Sequence, residues 1–407
     1  VVGAGAAGIA AARTLASHGV DGIVLEARQR LGGRACTDTA TLGWPFDHGC
    51  GWLHSAGVNP LTPLAQARRF ELERSAPAMH VHTVEGWCRG AAHTEARAFL
   101  DASYERIRAA GRRGRAVTAA EVTERRSRWT PLLDYLIAAI SGVDADAYAA
   151  QEYHREFDTG EDWPLRQGLG RLVTSLGTGL RVARRFAVRR IDWQGPSVRL
   201  QGEPGTVEAD AAIVTVPTAV LRAGAITFAP ALPGWKRAAL DALPLGDSEK
   251  VGLSFHRDCF GMPAHSFVNL VDGPRSIGFH LRPFGMPMAV AYVGGRLGRW
   301  LREETDGVEF ALDRLSEAFG SEVRLAWRGG TVTRWGKDPF TLGGYSAARP
   351  GMSGQRAALA APLAGCLYFA GEACSTRFFA TVHGAYLSGV QAATQICHEL
   401  GAARGPV

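Results

Sequence analysis

Gly3, Gly5 and Gly8 stand at the head of the chain in the pattern Gly-x-Gly-x-x-Gly, and glycines at that spacing can hold a pyrophosphate. Gly3 permits a tight turn, Gly5 lets backbone approach the phosphates, and Gly8 lets helix and strand pack closely. Ala6 and Ala7 lie at a helix start, where free N–H groups and the positive end of the dipole favour anionic oxygens. Three elements must position these residues. They are a short apolar strand ending at Val1-Val2, an alanine-rich helix over Ile9 to Ala16 closed by His18-Gly19, and a second strand over Gly22 to Leu25 that ends on Glu26. An acid about 20 residues past the last glycine can accept hydrogen bonds from ribose hydroxyls. Glycines alone could mark a turn with no ligand. Strand, helix, second strand and terminal acid together predict a dinucleotide.

The residues after Glu26 bear on which dinucleotide it is. Ala27-Arg28-Gln29-Arg30-Leu31-Gly32-Gly33-Arg34 combines a Gly pair for close approach with Arg34 as a second cation for a pyrophosphate. On its own the stretch reads as a solvated basic turn. Beside the glycine loop it resembles the Glu-Ala-x-x-x-x-Gly-Gly-Arg segment of the FAD-dependent amine oxidase superfamily. That resemblance implies FAD, contacted by Ala27, Arg28, Gly33, Arg34 and, further on, Val188.

Four later stretches carry the same resemblance. Trp44-Pro45-Phe46-Asp47-His48-Gly49-Cys50-Gly51-Trp52-Leu53-His54 is similar to the segment that runs under the flavin ring, which implies Gly51 and Trp52 as cofactor contacts. His54 falls where animal polyamine oxidases carry a histidine and plant ones an acid; a turn histidine bonded to backbone is the alternative. Ser248 to Phe255 alternates as a strand, with Lys250, Gly252 and Ser254 opposite Val251, Leu253 and Phe255. Alternation alone predicts a solvent-facing lysine. The resemblance instead implies a Lys250 bonded through water to flavin N5. Arg334 to Ser346 implies Trp335 on the flavin and Tyr345 as one wall of an amine cage, ordinary core aromatics being the alternative. Gly344, where monoamine oxidases carry a flavin-bonded cysteine, implies non-covalent FAD. Finally, Gly365 to Ala373 is a strand ending in Gly371-Glu372, followed by Phe379-Ala380-Thr381-Val382-His383-Gly384 at a helix start. These resemble the polyamine oxidase and lysine-specific histone demethylase branch, with Gly371 and Glu372 on the ribityl or phosphate side and Thr381 and Val382 at the flavin edge. Thr381 replaces the second aromatic cage wall of monoamine oxidases.

A chain of 407 residues is too long for one core and suits two domains. We expect an α/β fold: a doubly wound Rossmann-type FAD domain over 1–70, 165–235 and 355–407, with an interleaved α+β substrate domain over 71–164 and 236–354. Leu61 to about Tyr153 reads as a helical lobe, and Leu221 to Pro233 as a connector. The segment Trp163 to Leu172 resembles the family's Gly-Gly-x-Gly-x-Leu return, with Gln167 in place of the first Gly.

The net charge of +6 could suggest nucleic acid, yet the basic residues are scattered apart from a cluster between Arg106 and Arg128. That cluster is interleaved with Glu121 and Glu124 and reads as solvated helix faces, so no nucleic-acid partner is expected. Seven cysteines without Cys-x-x-Cys argue against a disulfide framework or metal site and fit a reducing, cytoplasmic compartment. No apolar run reaches the ~20 residues of a membrane span. Val1 opens inside a strand without an initiator Met, so residues ahead of it are expected and a targeting signal there would be invisible. Oligomeric state stays open, a homodimer included.

The resemblance implies two-electron oxidation of an amine C–N bond: hydride to flavin N5, hydrolysis of the imine, and O2 reduced to hydrogen peroxide. Lys250, Tyr345, Trp335, His54 and Thr381 are the residues it places at the reacting side. Three other readings remain: an L-amino-acid oxidase, which needs an arginine for a carboxylate; a desaturase, which needs a long apolar tunnel; and a catalytically silent FAD-bound scaffold.

Overall fold

The computed structural model of the chain describes residues 1–303 and 306–404. Its first layer is a parallel sheet assembled from distant segments. Val2 bridges Leu25 on one side and Val214 on the other. Val24–Glu26 pairs with Val182–Arg184, and Ala212–Val214 with Leu367–Phe369. Across the sheet the segments run third, second, first, fourth, fifth in chain order, the arrangement of a doubly wound dinucleotide fold.

Side-chain alternation explains why both faces are covered. Val2, Leu25, Val214 and Phe369 enter one core. Ile213 and Tyr368 enter the opposite one, with Ala7, Ala11, Leu15, Ala392, Ala393 and Ile396. The alanines among them let the Ala6–Ser17 helix lie close against the Val382–Arg404 helix. A Cβ at Gly389 would stand 2.0 Å from the Ala7 carbonyl oxygen. The first face is closed by a four-stranded sheet ordered Gly205–Ala209, Val198–Gly202, Val188–Asp192 and Thr227–Ala229. The expected connector over Leu221 to Pro233 therefore contributes a strand and the end of a helix, Thr218–Arg222.

The second layer is a seven-stranded sheet. Its spatial order is Trp327–Val332, Ser248–Phe255, Met288–Gly294, Ile277–Leu281, Ser266–Val271, Ala78–Thr83 and Gly86–Trp87. The last two strands add a hairpin to the lobe expected to be helical. Ala78–Thr83 runs parallel to Ser266–Val271 and buries Val81, while the helical composition around it masks the short hairpin. The helices themselves are present as Ala91–Arg112 and Thr130–Ser141, the second closed by Gly142 at φ 73°.

Candidate active site

A cavity of about 990 Å³ is lined by residues from both layers, at the upper end of the range for small-molecule and cofactor pockets. Every site residue expected from the sequence lines it except Gly8. Gly8 works in packing instead, since a Cβ there would stand 1.9 Å from the Gly3 carbonyl oxygen.

One end is built by the glycine loop. Gly3 adopts φ 101°, open to glycine alone at low cost. Gly5 has ordinary backbone angles, and a Cβ there would meet only Gly32 O at 3.9 Å. The protein itself thus does not demand glycine at position 5, and the space fits an approaching phosphate. No side chain caps the Ala6–Ser17 helix, so its first-turn N–H groups are left for a ligand. Glu26 is buried and holds the loop, accepting from Ala4 N–H at 2.7 Å and Arg28 N–H at 2.8 Å. Ala27, Gly33 and Val188 complete this wall.

Two arginines here are tied down rather than free. Arg28 pairs with Asp338 and lies over the Phe340 ring. Arg34 donates to the Gly344 carbonyl and pairs with Glu372 at 3.1 Å. Glu372 also accepts from Ser346 and from Ala380 N–H. Burial pushes its carboxyl up, but the Arg34 and Arg356 guanidiniums outweigh that and hold it below the ordinary range. Gly371, at φ 137° with nothing near its missing Cβ, leaves open space beside it.

The other end is aromatic. Trp335 donates through its indole to the His48 carbonyl at 2.9 Å, and Trp52 to the Tyr292 hydroxyl at 3.0 Å. Tyr345 donates to the Ala139 carbonyl at 2.7 Å, and burial pushes its phenol up to about 12. Thr381 accepts from Gly384 N–H at 3.0 Å, capping the start of the Val382–Arg404 helix. Its hydroxyl is thereby occupied, and the aromatic faces beyond Tyr345 come from Trp52, Phe267 and Tyr292.

Lys250 overturns the expectation of a solvent-facing lysine. Only 9% exposed, it donates from Nζ to the Asp47 carbonyl oxygen at 2.9 Å and lies over the Tyr292 ring. The alternation is as expected, but water does not meet the polar face. The Ser248–Phe255 strand lies between two partner strands. Val251, Leu253 and Phe255 share a core with Leu312 and Leu315, while Leu42 and Phe46 cover Gly252 on the other side. Burial pushes the ammonium below its ordinary range, and Asp47 and Cys50 pull part of the way back.

Sequence reasoning missed an acidic arm of the cavity, lined by Glu156, Asp158, Glu161 and Asp162 beside His54. His54 is not bonded to backbone through its ring; Nδ1 donates to Asp162 at 2.9 Å. Burial pushes Glu156 up to about 7. Four acids within seven positions were a signal available in the sequence. Among the described residues no group of His, Cys, Asp or Glu could hold a metal ion, and no helix is long and apolar enough to cross a membrane.

Comparison with known proteins adds to this geometry. The model of a family described as flavin containing amine oxidoreductase matches residues 6–131 and 103–397. Polyamine oxidase 4 of Oryza sativa subsp. japonica is 30% identical over 97% of this chain and 87% of its own length. Lysine-specific histone demethylase 1 homolog 2 of Arabidopsis thaliana is 30% identical over 98% of this chain and 58% of its own. Cyclohexylamine oxidase from Brevibacterium oxydans IH-35A shares the fold, with a TM-score of 0.82, 20% identity and 98% of each chain covered.

Proposed function

The chain belongs to the flavin containing amine oxidoreductase family, and from that premise we propose that it binds FAD non-covalently and oxidises the C–N bond of a small cationic amine, reducing O2 to hydrogen peroxide. The observation that carries this reading is the continuity of one cavity, from the Gly3–Gly8 loop and Glu26 to an aromatic chamber with an acidic arm. Gly3, Gly5, Ala6, Ala7, Glu26, Ala27, Arg28, Gly33, Arg34 and Val188 would hold the adenosine and pyrophosphate. Gly51, Trp52, Trp335, Gly371, Glu372, Thr381 and Val382 would hold the ribityl chain and ring. When bound, the flavin supplies the two-electron acceptor for the α-hydride and passes the electrons to oxygen.

The chain's own residues bind and orient the amine. Glu156, Asp158, Glu161 and Asp162 favour a cation at the chamber, and Tyr345, Trp52, Phe267 and Tyr292 offer it ring faces. The same wall excludes water from the reacting bond. An acid-lined arm disfavours the apolar tunnel a desaturase needs. The same acids would repel a carboxylate substrate, and Arg74 at this part of the cavity lies exposed over the Trp163 ring.

We infer an FAD domain (1–70, 165–235, 355–407) and a substrate domain (71–164, 236–354); the core from Val251 to Ala326 lies within the second, while the first core also draws in Ala239, Leu240, Leu243 and Ala348 from its edges. Positions 304, 305 and 405–407 within those ranges lie outside the described residues. Hydrogen exchange that opens both cores at one shared rate would count against this division.

The function is tested by mixing oxidised holoenzyme anaerobically with primary amines, diamines, polyamines and amino acids. Bleaching of the flavin by one of the amines is expected. Bleaching by amino acids alone, or by nothing in the panel, would overturn the reading.

A further inference from the structure

We propose that Asp162 is a positioning residue that fixes the His54 ring with its Nε2 lone pair on the cavity, and that His54 there accepts the proton an ammonium substrate must lose before oxidation. The proposal rests on the amine reading above and adds to it a proton acceptor and the residue that orients it.

The pair is built by strand register. Trp52–Leu53 and Trp163–Pro164 run antiparallel, with Trp52 opposite Pro164 and Leu53 opposite Trp163. The next position in that register sets His54 against Asp162. Beyond it, Ala56 N–H donates to the Glu161 carbonyl at 2.7 Å, so the two segments stay joined past the pair. Ser55 turns the chain at φ 50°, and its hydroxyl donates to Asp158 while accepting from Thr159 N–H. Asn59 donates to the His54 carbonyl at 2.9 Å. Both backbones are therefore clamped independently of the ring.

Chemistry then sets the tautomer. An ionised carboxylate can only accept, so His54 Nδ1 carries the hydrogen that is donated to Asp162 Oδ1 at 2.9 Å. In the neutral ring the acceptor is consequently Nε2. The side chain is 44% exposed and lines the cavity, and Nε2 has no protein partner among the described residues.

The groups facing the ring favour its cation. Burial alone would lower the imidazole, but the bond and charge of Asp162, then Glu156 and Asp158, raise it above the ordinary value. Asp162 moves the opposite way: burial raises it, and His54 more than offsets this. From the last helix, His383 is the titratable neighbour. It is 1% exposed, and burial pushes it down to about 4, so it stays neutral and does not oppose a charge on His54.

The step balances without an oxidant. An N–H bond of the ammonium breaks, its electron pair stays on nitrogen as the lone pair that oxidation needs, and an Nε2–H bond forms. Positive charge passes to the imidazolium, facing Asp162, and the proton later leaves through the exposed side of the ring.

The test uses flavin-loaded wild type, Asp162→Asn and His54→Asn with an amine that bleaches the wild type. Anaerobic flavin reduction is followed across pH, and the His54 ring is titrated by NMR in wild type and Asp162→Asn. Asp162→Asn should lower the limiting reduction rate at least about tenfold and move both the acidic limb of the profile and the His54 titration to lower pH. His54→Asn should lose that limb while retaining flavin. Should Asp162→Asn fail to fold, the ring-nitrogen NMR shifts of wild-type His54 decide the tautomer, an Nε2–H ring overturning the proposal, and His54→Asn decides the proton step. An unmoved limb overturns the proposal, as does a rate loss with an unmoved His54 titration, which is what a merely structural Asp162 would give. Failure of every amine to bleach wild type would instead overturn the amine reading beneath it.

Discussion

Lys250 and Asp47, 203 positions apart in sequence, meet where the lysine Nζ donates to the aspartate's backbone carbonyl oxygen at 2.9 Å. The bond anchors a cation on the wall of the cavity, 3.4 Å from where a Gly51 Cβ would stand. A buried cation tethered to a carbonyl, rather than neutralised in a direct ion pair, keeps much of its field for the space it faces.

That placement gives the first expectation. In the proposed reoxidation by oxygen, negative charge develops on oxygen, and a fixed cation at the site would stabilise it. Lys250→Met should slow reoxidation by oxygen at least about tenfold, a loss of ~1.4 kcal/mol of transition-state stabilisation, with flavin retained. Stopped-flow mixing of dithionite-reduced variant with oxygenated buffer measures the rate. A wild-type rate would remove Lys250 from the oxygen reaction.

Lys250 also shows where the sequence was legible. Its strand could be read at both ends, and so could its alternation, because those are local properties of the chain. What covers the polar face could not be read, since the cover is the loop carrying Leu42 and Phe46, far away in sequence. The glycine loop and Glu26 were legible for the converse reason: one turn and one strand build them. Asp162 was missed because its meaning depends on the pairing beside it with the Trp52–Leu53 strand. The Ala78–Thr83 strand escaped notice because a single buried Val81 is too weak a period-two signal within a helical region.

Glu156 yields a pH-dependent expectation. Its ordinary value is 4.5, and burial raises it to about 7 in the folded protein. Between those pH values the folded state holds a proton that the unfolded state has released, so stability falls as pH rises through this window. Glu156→Gln cannot ionise. It should therefore raise the melting temperature at pH 8 and leave it little changed at pH 4. Weaker binding of cationic amines should accompany the gain, because a carboxylate facing them is gone. An equal change in melting temperature at both pH values would show that Glu156 is not the group responsible.

The flavin should come away intact. Gly344 offers no thiol at the position where a covalent bond is made in monoamine oxidases, and burial pushes Cys50, a thiol on the cavity wall, up to about 12, keeping it protonated. Acid precipitation should release all yellow colour to the supernatant. Colour retained by the pellet would show a covalent link.

Two glycines of one motif separate a site residue from a packing residue. A methyl at position 8 would stand 1.9 Å from Gly3 O, a backbone atom that cannot yield without reshaping the turn. Gly8→Ala should consequently destabilise the protein whether or not flavin is present. At position 5 the backbone is already one that alanine adopts, φ −77° and ψ −175°, and the nearest heavy atom would be Gly32 O at 3.9 Å. Gly5→Ala should cost the apoprotein little beyond a helix-cap preference, within about 1 kcal/mol. The methyl would, however, fill the space proposed for the pyrophosphate, so the FAD dissociation constant should rise at least about tenfold, or ~1.4 kcal/mol. Thermal melts of the apoproteins, set beside fluorescence titrations with FAD, separate the two effects. Gly5→Ala binding FAD as tightly as wild type would move the pyrophosphate away from this loop. A Gly5→Ala apoprotein as unstable as Gly8→Ala would make both residues structural and leave the motif without a ligand to explain it.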